Sequence, residues 1–295
     1  MSREQYIQDI NKVFRGWEAR DYSKRFRLHA KNVLVAADAH LPYVHKDLLA
    51  MFREAVTILQ PEAVIWLGDL MDMHKFSRWG VTDYTLTWEQ EKEIITGILL
   101  QINEDLEPHG GIQVVSSGNH DRRWIRKLDN HEDMEGLLCS LSPEIGELVG
   151  ENIIIPVDSP TIETIPDDHG GFEWLLTHPA QFKAPFKTPE EIATLNNMNV
   201  VSAHAHHFGA IRSKNNRHWI VEAGGLFDHR LFEYVQWNPT GHREMIPGFW
   251  WLRSGMPPRG FTIYDEELLE LYRACEQEGE PQHRGRDEDK AAQDR

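Results

Sequence analysis

Short unbroken apolar runs alternate along the first half of the chain with longer stretches in which apolar residues recur every three or four positions. Asn32–Ala37, Ala63–Leu67 and Ile112–Ser116 are the unbroken runs, and they read as strands buried on both faces. Between them, Lys46–Leu59 places Leu48, Leu49, Phe52, Val56 and Leu59 at helical spacing, and Pro61 closes it. Trp88–Leu106 predicts a second, longer helix. Strand and helix repeated in this order predict an α/β sheet.

After an acidic loop around Asp167 and Asp168 the pattern changes. Phe172–Thr177 and Asn199–Ala203 are short strands that each run into histidine, and Phe208–Ser213 and Arg217–Val221 flank a polar turn at Lys214–Asn216. This half predicts a second sheet packed on the first. The expected fold is therefore a layered α-β-β-α sandwich of two mixed sheets flanked by helices. Residues 1–31 read as an N-terminal helix over about Gln5–Arg20 and a basic connector, Lys24–Lys31. Residues 32–265 form the expected domain. Its Trp-, Pro- and Gly-rich stretch Trp237–Phe261 shows no period and is expected to wrap the surface as an ordered loop. Residues 276–295 have almost no apolar positions and read as an acidic, disordered tail.

Charge narrows the function. The 295 residues carry a net charge of −16, against non-specific coating of nucleic acid. The balance is uneven: residues 1–31 hold eight basic and four acidic residues, residues 265–295 five and eleven. No apolar run nears the roughly 18 residues of a membrane span, and the first residues lack an apolar signal region, so a cytoplasmic setting is expected. The two cysteines, Cys139 and Cys275, are far apart and form no CxxC, which argues against a disulfide framework. Histidine, at 16, is the unusual count, and it matters only where positions converge.

Five polar motifs each follow a predicted strand: Asp38-Ala-His40, Gly68-Asp69-Leu-Met-Asp72, Gly118-Asn119-His120-Asp121, Thr177-His178 and His204-Ala-His206. Open α/β sheets place ligands at the carboxyl ends of their strands, so five such ends can face one crevice. Aspartate, histidine and one amide suit first-row divalent ions such as Mn, Fe, Zn or Ni. Two such ions about 3.5–4 Å apart, sharing a carboxylate, can hold a hydroxide at neutral pH and neutralise phosphate oxygens.

In this order, D-x-H, GD-x-x-D, GNHD, a lone His and H-x-H resemble the calcineurin-like metallophosphoesterase superfamily, over about Val33–Val221. The resemblance implies that Asp38, His40 and His206 hold one metal, that Asp69 bridges, and that Asn119, His178 and His204 complete a second site. It implies two divalent transition-metal ions, with manganese heading the candidates. His120 would stand near the phosphate, stabilising charge or protonating the leaving oxygen. Asp121 would orient its imidazole, and Asp72 would lie behind the ligands. Ala203 and Pro179 stand where family members commonly have glycine, which touches loop shape and replaces no ligand.

The resemblance implies a two-metal phosphoester hydrolase. The leading substrate is a phosphodiester, DNA or RNA included, because Arg122, Arg123 and the basic connector suit a polyanion. His74 could add a substrate contact from a loop over the site. A phosphomonoesterase or small-nucleotide phosphodiesterase is the alternative within the class, and a non-catalytic metal-binding scaffold is the alternative outside it. His45, His131, His169, His218, His229 and His242 have no partner motif and read as surface or core residues. Trp250-Trp251 reads as core or interface, with a substrate-stacking platform as the other reading.

Overall fold

A computed structural model describes residues 2–13, 24–73, 86–123, 134–156, 161–166, 173–181, 183–232 and 245–279. The strands are β1 (Phe26–His29), β2 (Asn32–Ala37), β3 (Ala63–Leu67), β4 (Ile112–Ser116), β5 (Ile153–Ile154), β6 (Thr161–Ile165), β7 (Trp174–Thr177), β8 (Asn199–Ser202), β9 (Phe208–Arg212), β10 (Trp219–Ala223), β11 (Gly248–Arg253) and β12 (Arg259–Thr262). They form two six-stranded mixed sheets, ordered β12-β11-β2-β3-β4-β5 and β1-β6-β7-β8-β10-β9. The helices are α1 (Arg3–Val13), α2 (Lys46–Leu59), α3 (Trp88–Leu106), α4 (Met134–Cys139), α5 (Pro143–Leu148), α6 (Lys187–Asn196) and α7 (Glu266–Gly279).

Three apolar layers explain the unbroken strands. Leu34 and Ala36 of β2 and Val64 and Trp66 of β3 face α2 and α3. Their neighbours Val33, Val35, Ile65 and Leu67 turn the other way, onto Trp174, Leu176, Val201 and Val221 of the second sheet. Leu175, Val200 and Ile220 then back onto Ala193 of α6. Successive strand residues point to opposite faces, so a strand between two apolar layers has no polar face. The layered sandwich of two mixed sheets flanked by helices is the observed architecture. No helix among the described residues is long and apolar enough to cross a membrane.

Local signals set several boundaries. Thr87 caps α3 through a reciprocal pair with Gln90, in which Gln90 N donates to Thr87 Oγ1 and Thr87 N donates to Gln90 Oε1. His45, without a motif partner in the sequence, caps α2 by accepting from Leu48 N.

Two expectations are corrected. The stretch expected to wrap the surface instead supplies β11 and β12, with β11 antiparallel to β2 and pairing Trp250 with Val35. Gly-Phe-Trp-Trp-Leu-Arg has no period because both of its faces are covered: Phe249 and Trp251 join the helix-side layer, and Trp250 the layer between sheets. The tryptophan pair is therefore core and offers no stacking platform. The basic connector contains β1, which pairs in parallel with β6 at the sheet edge. The described part of the N-terminal helix is Arg3–Val13, and residues 14–23 lie outside the described set. Helix α7 continues through the first tail residues to Gly279, and residues 280–295 lie outside the described set.

Candidate metal centre

Parallel pairing of β2, β3 and β4 brings Asp38, Asp69 and the Gly118–Asp121 turn to one end of the first sheet. Parallel pairing of β7, β8 and β10 brings His178, His204 and His206 to the facing end of the second. The connecting backbone is strained there. Asp38, His40, Asp69, His204 and His206 all have φ between 44° and 75°, a left-handed region that non-glycine residues rarely occupy. Such strain persists where surrounding structure holds it, and it concentrates at functional sites. The holding bonds are visible: Asp38 N donates to Gly68 O (3.1 Å), His40 N to Asp69 O (2.9 Å) and His204 N to Asp38 Oδ2 (3.0 Å).

Two glycines are required by close approach. A Cβ on Gly68 would lie 2.3 Å from His178 Nδ1, and one on Gly118 would lie 2.0 Å from Asp69 Oδ1. These are the glycines of the GD and GN motifs, and each lets one strand end touch the next.

The sequence-derived ligands converge. Donor atoms of Asp38, His40 and His206 form one cluster, and those of Asp69, His178 and His204 form another, each within 4.8 Å of one another. A third such cluster joins Asp69 to His40 and His120, so Asp69 belongs to both sides. Asn119 Oδ1 lies 3.2 Å from His178 Nε2. Asp38 is fully buried, and its Oδ1 has no hydrogen-bond partner.

The imidazoles are oriented as ligands. His178 Nδ1 donates to Leu67 O at 3.1 Å, which leaves Nε2 toward Asp69 Oδ2 at 3.4 Å. His40 Nδ1 bonds Asp72 Oδ1 at 3.1 Å, which turns its Nε2 to within 3.2 Å of His206 Nε2. Two ring nitrogens and a buried, unpartnered carboxylate oxygen converging on one point is the chemistry of a cation site. These residues fit a pair of divalent ions.

Electrostatics divide the imidazoles. Burial pushes the His178 imidazole down, but Asp38 and Asp69 outweigh it and raise its pKa to about 9. Burial pushes the Asp69 carboxyl up, yet the hydrogen bond and charge of His178 hold it well below the usual range. Burial lowers His40 and, with the charge of His178, lowers His204, so both favour the neutral form a metal requires.

One expected role is corrected. Asp121 was expected to orient His120, but its two oxygens instead accept from Met71 N (3.0 Å) and Gly118 N (2.8 Å), which braces the turn. Burial and the charge of Asp69 raise its pKa to about 6. Asp72 carries the orienting contact: its Oδ1 lies 2.9 Å from His120 Nδ1 and 3.1 Å from His40 Nδ1. The GD-x-x-D spacing held this signal, but not which histidines Asp72 would meet. An aromatic wall was not legible at all. Phe227 lies 4.5 Å from the His206 ring and Phe232 5.4 Å from the His40 ring, centroid to centroid.

Of the substrate candidates, Arg122 and Arg123 open the turn after Asp121 and are half-buried, whereas His74 lies outside the described residues. The basic stretch Lys24–Lys31 lies along the sheet edge in β1, where Arg25 is bonded to Glu163 and Asn196.

The fold and the cluster define a divalent-metal centre at the strand ends of an α/β sandwich. The calcineurin-like phosphoesterase family model matches residues 31–250, and the chain belongs to that family. Family and cluster together support divalent metal binding and metal-dependent phosphoester hydrolysis. No curated protein sequence matches the chain. Among solved structures, it is similar to Vacuolar Protein Sorting 29 from Cryptosporidium parvum at 14% identity and TM-score 0.40, over 79% of this chain and 99% of that one. It is also similar to a conserved Streptococcus pneumoniae protein described as a predicted phosphoesterase, at 11% identity and TM-score 0.35, over 80% of this chain and 99% of that one.

Proposed function

We propose that the chain is a two-metal phosphodiester hydrolase, with nucleic acid among its substrates. The observation that carries the reading is the sharing of Asp69 between the clusters on its two sides. Asp38, His40 and His206 would hold one ion, and Asn119, His178 and His204 the other, with Asp69 between them. Bound there, the ions, manganese first among the candidates, would supply an activated water and neutralise phosphate oxygens.

The chain's own groups do the rest. Asp72 fixes the His120 ring through Nδ1, so that Nε2 faces the site and delivers a proton to the departing alcohol oxygen. Phe227 and Phe232 pack against the His206 and His40 rings, and an apolar wall there strengthens charge interactions beside it. Arg122 and Arg123 place positive charge beside His120, which suits a polyanionic substrate. The proposal takes residues 32–265 as the catalytic unit. It also takes a reducing, cytoplasmic setting, in keeping with the free, exposed Cys139.

The test compares rates on p-nitrophenyl phosphate, bis(p-nitrophenyl) phosphate, and single- and double-stranded DNA after manganese loading. Turnover of the diester and of at least one DNA is expected. Turnover of the mono-ester alone would end the diester reading.

A further inference from the structure

Two arginines follow the GNHD motif, and the structure separates them. Arg122 turns its Nε toward Ser117 Oγ at 3.4 Å. Arg123 folds back over the motif, where its Nη1 donates to the Asp72 carbonyl at 3.0 Å and its Nη2 to His120 Nε2 at 2.8 Å. Asp72 is thus a common anchor, since the same carbonyl lies 3.1 Å from His120 Nδ1.

A guanidinium has five N–H donors and no acceptor. His120 Nε2 is therefore the acceptor in this arrangement, and its Nδ1 hydrogen goes to Asp72. A neutral ring nitrogen offers the guanidinium one lone pair, whereas a phosphoryl oxygen offers a charged partner and a stronger bond. Among the described residues no carboxylate pairs with Arg123 through its side chain, so its charge is uncompensated by any ion pair. It sits one imidazole away from the shared carboxylate, with His120 Nε2 4.0 Å from Asp69 Oδ2.

We propose that Arg123 reads the phosphoryl group. When a phosphoester enters, Arg123 exchanges His120 Nε2 for a non-bridging phosphate oxygen and keeps its Nη1 on the Asp72 carbonyl. The exchange frees the His120 Nε2 lone pair, which takes up a proton from solvent and then donates it to the leaving oxygen. Arg122, directed at Ser117, has the lesser part. This assignment rests on the phosphoester reading above. It needs a planar fork that holds two partners at once, which lysine lacks.

The experiment uses the metal-loaded full chain and three readouts: calorimetric affinity for inorganic phosphate, kcat/KM on bis(p-nitrophenyl) phosphate, and the ¹⁵N signals of the His120 ring. Arg123→Ala should weaken phosphate binding and lower kcat/KM by about 10- to 100-fold each, the worth of a hydrogen bond to a charged group. Its metal content should be unchanged. Arg123→Lys should recover only a minor part, and Arg122→Ala should cost less than Arg123→Ala. Phosphate should move the His120 Nε2 signal in the parent and not in Arg123→Ala. Arg123→Gln, which retains a donor, checks that any loss is not a folding defect. Phosphate binding within twofold of the parent in both Arg123→Ala and Arg123→Gln would overturn the assignment. A parent that binds phosphate through Arg123 yet hydrolyses no phosphoester would overturn the functional reading instead.

Discussion

The two sheets bring unlike chemistry to one place. The first ends in the carboxylates Asp38 and Asp69, the amide Asn119 and the imidazoles His40 and His120, tied together by backbone bonds between parallel neighbours such as Asp38 N to Gly68 O. The second ends in imidazoles, His178, His204 and His206, and it docks onto the first through a carboxylate, with His204 N donating to Asp38 Oδ2. The first sheet supplies the negative charge, and the second supplies ring nitrogens that carry none when neutral. The two clusters that hold second-sheet imidazoles each also take a carboxylate from the first sheet, Asp38 or Asp69. The contrast teaches that this centre is an interface between two layers, so its integrity depends on the packing between them as much as on any ligand.

The comparison breaks most completely at the shared carboxylate. Asp69→Ala should remove both ions and lower turnover by about 10⁴-fold, since the charge compensation worth several kcal/mol goes with them. Elemental analysis that still finds two ions in this variant would refute the bridging assignment. A second-sheet ligand should cost less: His206→Ala should lose one ion of the two, read by the same analysis.

His120→Ala should keep both ions and lower kcat by about 10²-fold, because it removes the proton donor and not a ligand. Full rate in that variant would remove His120 from its role. Asp72→Asn should lower kcat by about tenfold with a displaced pH profile, because the ring loses its charged partner while keeping a hydrogen bond.

The last expected effect is a pH dependence. His178 is raised from 6.5 to about 9 by Asp38 and Asp69 against the pull of burial. In the metal-free protein its charged form is stabilising, fully so below about 6.5, and that contribution is lost as pH rises through about 9. A metal needs the neutral ring, so the sign reverses for uptake. Affinity of the site that includes His178 should climb by up to about tenfold per pH unit across this window, with one proton released as that site fills. Calorimetry in buffers of different ionisation enthalpy reads the proton, and uptake without release at pH 7 would contradict the shift.

The parts legible in the sequence are those encoded by near neighbours. β2, α2, β3, α3 and β4 were placed to the residue, because an unbroken apolar run or a three-to-four spacing is a local property. The seven candidate ligands were legible because each stands within four residues of a strand end, where the chain must turn out of the sheet toward the same end.

What the sequence determined by itself was therefore the alternation of elements and the set of groups that could meet a metal. Only the tertiary structure decided which groups touch. It gave His120 to Asp72 instead of Asp121, although Asp121 is the immediate neighbour, because parallel pairing of β3 and β4 lays the Asp69–Asp72 loop beside the GNHD turn. It separated Arg123 from Arg122, and it drew Gly248–Arg253 into the first sheet beside a strand more than two hundred residues earlier. Contacts between strands far apart in sequence leave no trace in local spacing, and their energy comes from burial that exists only once the layers close.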